Sequence, residues 1–172
     1  MTEQVSFGFS DIYFEGVISV READLGVNAH VLLTVGNSSV FEEIHVPVVE
    51  LSAQLDEWIR SGANWKFQYN SIEAEDCLFE FTPVGDSYVE VSSSWNSEGI
   101  TVGAIASRAG LVVASGLFVS RVVREVREEF GLELPPFVAY RGPRPWERPG
   151  SGWNAGLGSE SSEWPDAQLD GS

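Results

Sequence analysis

The clearest hydrophobic pattern of the chain lies between Leu111 and Gly131, where apolar and polar side chains alternate with the period of an α-helix. The apolar positions recur at spacings of three, four and seven, at Leu111, Phe118, Val119, Val122, Val126 and Phe130. Arginine and glutamate side chains between Arg121 and Glu128 occupy the opposite side, which we expect to face water. Gly131 suits a left-handed C-cap, and Pro135-Pro136 prevents the helix from resuming. The pattern predicts a long helix packed against a sheet.

A second, shorter stripe at helical spacing follows Pro47 and ends before Gly62. Its apolar members are Val48, Leu51, Leu55, Trp58 and Ile59. Pro47 suits the first turn of a helix, and Glu50 suits the positive end of the helix dipole. The stripe therefore predicts another helix.

Most other apolar residues alternate with polar ones, as in strands with one buried face. The alternating segments are 6–20, with a bulge or close approach at Gly16, and 30–35, 40–46, 65–69, 76–81 and 88–92. Residues 100–105 form a short extended segment or lead directly into the long helix. We expect Ile44 and Val46 to face the core, Glu43 and His45 to face water, and Trp65 to be buried.

The order of strands, helix, strands and helix predicts one α+β domain. Turn signals of hairpin length favour a twisted, largely antiparallel sheet of about five to seven strands with two helices packed on it. A β-sandwich is the alternative, and the long helix disfavours it. After Ala139 the composition shifts to Gly, Pro, Ser and Trp, so we assign residues 1–138 to the domain and 139–172 to a disordered tail.

Charge limits the possible partners. The formal charge of the 172 residues is −16, from 26 acidic and 10 basic side chains. Residues 1–100 alone carry 17 acidic and 3 basic side chains, a net of −14. This charge disfavours direct binding to nucleic acid and to anionic membranes, because both need a basic patch. A basic protein is the natural electrostatic complement.

Cysteine content and the absence of targeting signals predict a cytoplasmic protein. Cys77 is the single cysteine, so no intrachain disulfide and no cysteine-based zinc cluster is possible. We expect Cys77 to be a small buried residue rather than a nucleophile, because nothing nearby activates it. The N-terminus lacks a basic segment followed by an apolar one, and the uncharged run 109–120 is too short to span a bilayer.

Motifs for known chemistry are absent from the sequence: it has no Walker loop, HExxH, EF-hand loop or nucleophile elbow. His45 lies two residues from Glu43, so the two share a strand face and are placed to form an acid–base or metal pair. The alternative is an exposed histidine beside a solvated carboxylate, because a working site needs a third convergent group and a pocket. We expect no metal and no cofactor.

Two features are candidates for partner contact. Glu73, Glu75 and Asp76 form the densest acidic cluster, just before a predicted strand. Such carboxylates serve hydrolases, form a solvated turn, or dock on a basic surface. Trp95 lies in the polar loop SSSWNSEG, where a tryptophan either anchors an interface or caps the core. We predict that these four residues bind the partner.

Three segments carry a resemblance to a known family, namely VVELSAQLDEWIRSG, SIEAEDCLFEF and REVREEFGLEL. They resemble a family of small, acidic, uncharacterised bacterial proteins in which a "PVVELA…L…WL" helix precedes a "MEAEE" strand and a "V…REELG" helix follows. The match covers roughly residues 10–134. Members resemble immunity proteins of toxin systems in size, acidity and α+β layout. The resemblance assigns no functional residue, and it favours a compact binder over an enzyme.

The expected function is therefore that of a non-enzymatic protein that neutralises or regulates a basic protein partner, as an immunity protein neutralises a toxin. Its acidic surface would steer association and then occlude the partner's active surface. Two alternatives stay open at this stage. One is an acidic nucleic-acid mimic that inhibits a DNA-binding protein, and the other is an enzyme whose carboxylate or histidine site the sequence does not reveal.

Overall fold

The computed structural model describes residues 4–15, 26–71, 74, 76–95 and 102–134. These residues form seven strands and two helices. The first half contains β1 (Val5–Phe14), β2 (Val27–Val35), β3 (Ser38–Pro47) and α1 (Val48–Arg60). The second half contains β4 (Phe67–Tyr69), β5 (Phe79–Val84), β6 (Tyr88–Ser93), β7 (Val102–Ser107) and α2 (Arg108–Phe130). The predicted bulge at Gly16 and the predicted tail lie outside the described residues.

The strands form two antiparallel sheets, with the orders β1-β2-β3 and β4-β5-β6-β7. This confirms the predicted α+β class, the antiparallel pairing and the two helices. The prediction of a single sheet was wrong, because the strands form two sheets, with α1 between β3 and β4 along the chain. The extended segment expected near residues 100–105 is a full strand, β7.

Both sheets and both helices contribute aromatic rings to one core. Phe79 of β5 packs against Phe41 of β3 and Phe7 of β1, with ring centroids 4.9 and 5.8 Å away. Phe118 of α2 stacks on Phe7 with a centroid separation of 4.5 Å. Burial of these large rings supplies much of the driving force that holds the layers together.

Both helices bury the faces that the sequence predicts. The buried residues include Leu111, Phe118, Val119, Val122 and Val126 in α2, and Val48, Leu51, Leu55 and Trp58 in α1. At the start of α2, the Ser107 hydroxyl accepts the backbone N–H of Gly110 at 3.1 Å. At its end, Gly131 adopts the left-handed conformation with a φ of 66°.

A bulge in β3 reverses the orientation expected for its side chains. Ala29 of β2 pairs with Val46, whereas Val31 pairs with Glu43, so β3 has one extra residue between these pairs. Glu43 therefore shares a face with the buried Val31, and Ile44 is 56% exposed. The prediction that Ile44 faces the core and Glu43 faces water was wrong.

Trp65 does not belong to the core, contrary to the prediction. Trp65 is 42% exposed, and the strand that was predicted to include it begins two residues later, at Phe67. Its backbone carbonyl accepts the indole N–H of the buried Trp58 at 3.1 Å. The backbone carbonyl of Trp65 thus satisfies the indole N–H of the buried Trp58, while the ring of Trp65 lies at the surface.

Candidate partner-binding surface

Trp95 lies just after β6. Because β5 and β6 are antiparallel, the segment just before β5 lies at the same end of the four-stranded sheet. In the β5–β6 pair Glu80 faces Ser92, so the chain before β5, which carries Asp76, and the chain after β6, which carries Trp95, leave the sheet at the same end. The Ser93 hydroxyl donates to the carbonyl of Leu78 and accepts the backbone N–H of Trp95 at 3.1 Å. This hydroxyl therefore fastens the end of β6 to the segment that carries Asp76.

The indole of Trp95 is fixed by a residue of the other sheet. Its Nε1–H donates to Glu43 Oε2 at 2.7 Å. Trp95 nevertheless remains 39% exposed. The β3 bulge makes this contact possible, because it places Glu43 on the inner face, towards the four-stranded sheet. A tryptophan held in this way presents apolar surface to solvent in a defined orientation.

Glu43 is a negatively charged acceptor at neutral pH. Burial by itself raises the pKa of Glu43. The hydrogen bonds from Trp95 and from the backbone N–H groups of Ile44 and His45, together with the charge of His45, outweigh burial, so the pKa lies below its ordinary value. The N–H of Ile44 donates to Glu43 Oε1 at 2.7 Å. The carboxylate of Glu43 thus accepts a backbone N–H of the bulge and also orients the indole of Trp95.

Neither Glu43 nor Asp76 forms an ion pair with an arginine or lysine of the described part of the chain. In the described part of the chain, the cations bond elsewhere: Arg60 with Asp56, Lys66 with Glu80, Arg121 and Arg124 with Glu125, and Arg127 with Glu133, while Arg108 donates to Asn64 and to the carbonyl of Gly85. We call the surface formed by Glu43 and Trp95, together with Asp76 at the same end of the four-stranded sheet, the Trp95 surface. It combines the exposed ring of Trp95 with carboxylates that have no lysine or arginine partner among the described residues.

Of the four residues predicted to bind a partner, the structure describes two. Asp76 and Trp95 are both exposed and lie at the same end of the sheet. Glu73 and Glu75 lie outside the described residues. Sequence reasoning missed Glu43 as the partner of Trp95, because the two are 52 positions apart and the contact depends on a bulge. No local pattern could have indicated it.

Both histidines bond across the three-stranded sheet. His30 Nε2 lies 3.0 Å from Glu42 Oε1, and His45 Nδ1 bonds to the hydroxyl of Tyr13. The carboxylate of Glu43, the partner considered for His45, is hydrogen-bonded to Trp95 instead. Among the described residues, no three or more histidine, cysteine or acidic side chains are grouped so as to hold a metal ion.

Glu50 is a buried carboxylate that the sequence assigned only to the helix dipole. Glu50 lies in the first turn of α1 and is 5% exposed. Its Oε2 accepts hydrogen bonds from the hydroxyls of Tyr69, at 3.3 Å, and Ser71, at 3.0 Å. Because it is closed to solvent and bonded to neighbouring hydroxyls, its role in this structure is to hold α1 against β4.

Cys77 is half-buried, and its thiol donates to the carbonyl of Phe79 at 3.2 Å. Burial, with a smaller contribution from the charge of Glu80, raises the pKa of this thiol to about 11. The thiolate is the nucleophilic form of cysteine, so this environment opposes nucleophilic chemistry at neutral pH.

A family model covers most of the described fold. The model of a domain of unknown function, DUF7878, matches residues 9–128, and the chain belongs to this family. The match begins within β1 and ends two residues before the end of α2, so it spans both sheets. The chain has no significant match among curated proteins and none among solved structures.

Neither helix described by the structure has the length and apolar character that a membrane span requires.

Proposed function

We propose that this protein is a non-enzymatic binding protein that docks on a basic protein partner and neutralises it, in the manner of an immunity protein. The observation that carries the proposal is the exposed Trp95 held by Glu43 at 2.7 Å. Tryptophan is enriched among the residues that dominate binding energy. A ring that is already oriented loses less side-chain entropy on binding than a free one does.

The charge distribution supports the same proposal. Residues 1–100 carry a net charge of −14, and Glu43 and Asp76 have no lysine or arginine partner among the described residues. An acidic surface attracts a basic partner over a distance and raises the rate of encounter. Trp95 then supplies apolar contact area beside the carboxylate of Glu43. The bound protein would block the partner's active surface by covering it.

Affinity capture followed by quantitative binding tests this proposal. The full chain is immobilised, exposed to a lysate of the organism that encodes it at 50 and 500 mM NaCl, and the captured proteins are identified and purified. We expect a basic protein that is retained at low salt and released at high salt. Trp95→Ala should weaken its binding by about tenfold or more, as for an interface anchor.

Trp65→Ala is the matched control, because Trp65 is also an exposed tryptophan but lies between α1 and β4. It should leave the affinity unchanged. Equal effects of the two substitutions, or capture that does not depend on salt, would contradict the proposal. If duplex DNA competes with this protein for the captured partner, the nucleic-acid mimic replaces the immunity-like role.

A further inference from the structure

We infer that the outer edge of β7 receives an extended basic segment of the partner as a fifth strand of the four-stranded sheet. The basic character of that segment rests on the proposed function. The place and mode of docking rest on the geometry of β7 itself, which is independent of the Trp95 surface.

Among the described residues, one edge of β7 has no paired strand. Along its other edge, β7 pairs with β6 through six consecutive positions, from Val102 opposite Ser93 to Ser107 opposite Tyr88. No further strand of the described chain pairs with it, and its second edge makes no backbone hydrogen bond to a described residue. Val102, Gly103 and Ile105 are exposed. The row of backbone donors and acceptors on this edge is therefore available for pairing.

The other sheet edges in the described part of the chain carry protective features that β7 lacks. β1 has an irregularity between Ser10 and Tyr13, with Asp11 at a φ of 53°. β3 has its bulge and the charges of Glu42 and Glu43. β4 is three residues long. By contrast, β7 (VGAIAS) has six residues in regular register with no charge, proline or bulge. Proteins blunt exposed edges with such features, so their absence indicates an edge that is used.

The carboxylate of Glu90 on β6 is accessible from this edge because Gly103 on β7 has no side chain. A Cβ added at Gly103 would lie 3.5 Å from Glu90 Oε1 and 3.4 Å from the Cβ of Ser92. Glu90 is exposed, and no lysine or arginine among the described residues pairs with it. Because Gly103 has no side chain, an arginine or lysine from an added strand has room to reach Glu90 across β7. A hydrogen bond between such ionised groups is stronger than a neutral one.

Two exposed side chains on the same face complete the proposed contact. Tyr88 and Ile105 are 50% and 46% exposed. Tyr88 lies two residues from Glu90 on the same face of β6, so its ring would lie beside the arginine or lysine that binds Glu90. At the other end, Val102 pairs with Ser93, two residues before Trp95. A strand on β7 would therefore end next to the Trp95 surface, and one partner would contact both.

The test uses a capped eight-residue peptide of alternating valine and arginine, titrated into the full ¹⁵N-labelled chain. We expect the largest amide shifts in β7 and β6, and slower hydrogen exchange of the β7 amides. Two peptides N-methylated at alternate positions provide the decisive comparison. Only one of the two patterns removes the donors that face β7, because successive N–H groups of a strand point to opposite sides. That pattern should weaken binding by about tenfold or more, and the other should not.

Substitutions in the protein test the role of charge. Glu90→Gln should weaken binding of the unmethylated peptide by about threefold to tenfold, through loss of a charge-assisted hydrogen bond. Glu128→Gln, the same change on the exposed face of α2, should have no effect.

Other outcomes would overturn the inference in distinguishable ways. Equal affinity for both methylated peptides, or shifts confined to Glu43 and Trp95, would exclude strand pairing on β7 but leave the proposed acidic binder intact. Failure of the peptide to bind would also overturn the β7 site, while the capture experiment decides the proposed function separately. A dimer of the free chain that Ile105→Lys converts to a monomer would assign the edge to a second copy.

Discussion

The indole N–H of Trp95 donates to the carboxylate of Glu43 over 2.7 Å and joins two residues that are 52 positions apart in the chain. One belongs to the three-stranded sheet and the other follows the third strand of the four-stranded sheet. The bond therefore couples the relative position of the two sheets to the orientation of the exposed tryptophan. The same hydrogen bond also lowers the pKa of Glu43, which can be measured.

We expect Trp95→Phe to raise the pKa of Glu43, because the substitution removes one of the hydrogen bonds that favour its ionised form. A carboxyl-detected NMR titration of both proteins measures the change. Glu80 serves as an internal control. Burial raises the pKa of Glu80, but the hydrogen bonds from Lys66, Gln68 and Thr82 and the charge of Lys66 together lower it by more, and Trp95 is not among these groups. An unchanged Glu43 titration would show that the Trp95 bond is not formed in solution.

The same substitution should change the pH dependence of stability. The folded-state pKa of Glu43 lies below its ordinary value of 4.5, so its ionised form stabilises the native state above that pH. This contribution is lost as the pH falls through the lowered pKa. Between pH 5 and 3, wild type should therefore lose more unfolding free energy than Trp95→Phe does, as measured by urea denaturation at each pH. Parallel losses would contradict this linkage.

The helices were predictable because their signal is local. The spacing of Leu111, Phe118 and Val122 along one stretch of chain is enough to define the buried face of α2. Gly131 marked the end of the same helix for an equally local reason, its tolerance of positive φ.

Features that depend on strand register were not predictable. The extra residue in β3 leaves composition and alternation almost unchanged, yet it exposes Ile44 and turns Glu43 inward. Trp95 could be named as an interface candidate from its polar loop. Its bond to Glu43 could not, because that contact requires both the bulge and the packing of two sheets. The open edge of β7 likewise emerges only when the order of the strands is known.

Alanine substitutions at two glycines of the same helix should have opposite effects. Gly116 lies within α2 and Gly131 at its C-cap, and an added Cβ meets no atom within 4 Å at either position. Only the backbone then distinguishes them. Gly116→Ala should stabilise the protein by about 0.5–1 kcal/mol, through helix propensity and reduced unfolded-state entropy. Gly131→Ala should destabilise it by about 1 kcal/mol, because its φ is 66°. Urea denaturation of both variants decides the signs.

The buried face of α2 can be tested by two charge substitutions two residues apart. Val122 is fully buried, so Val122→Asp should cost about 3–5 kcal/mol or prevent folding, because it buries an unpaired carboxylate. Arg124 is exposed and lies 3.8 Å from Glu125, so Arg124→Glu should cost about 1 kcal/mol or less. Circular dichroism during thermal unfolding compares them. Similar stabilities would show that the face is assigned incorrectly.

Cys77 should react slowly with alkylating agents. With a pKa of about 11 its thiolate fraction is small at neutral pH. We expect the iodoacetamide rate of the native chain to keep rising up to pH 10. In urea, the same profile should level off near the ordinary pKa of 9.0. A native profile that levels off near pH 7 would indicate an activated cysteine and would revive the enzymatic alternative.

The location of the partner contact can be tested by moving one positive charge between the two ends of the β5–β6 hairpin. Asp76 precedes β5 at the end of the hairpin where Trp95 follows β6, and Asp86 lies in the turn that joins the two strands. Both are exposed, and both Asp→Lys changes raise the formal charge from −16 to −14. The overall electrostatic attraction to a basic partner therefore changes equally, and any difference reports position.

We expect Asp76→Lys to slow association with the captured partner by about twofold to fivefold at 50 mM salt, with a smaller effect on dissociation, as for charges at an interface rim. The effect should shrink at 500 mM salt, where the Debye length falls to about 4 Å. Asp86→Lys should change the association rate much less. Surface plasmon resonance measures both rates for each variant. If the two substitutions slow association equally, the negative field acts as a whole and the partner does not approach the end of the sheet that carries Trp95.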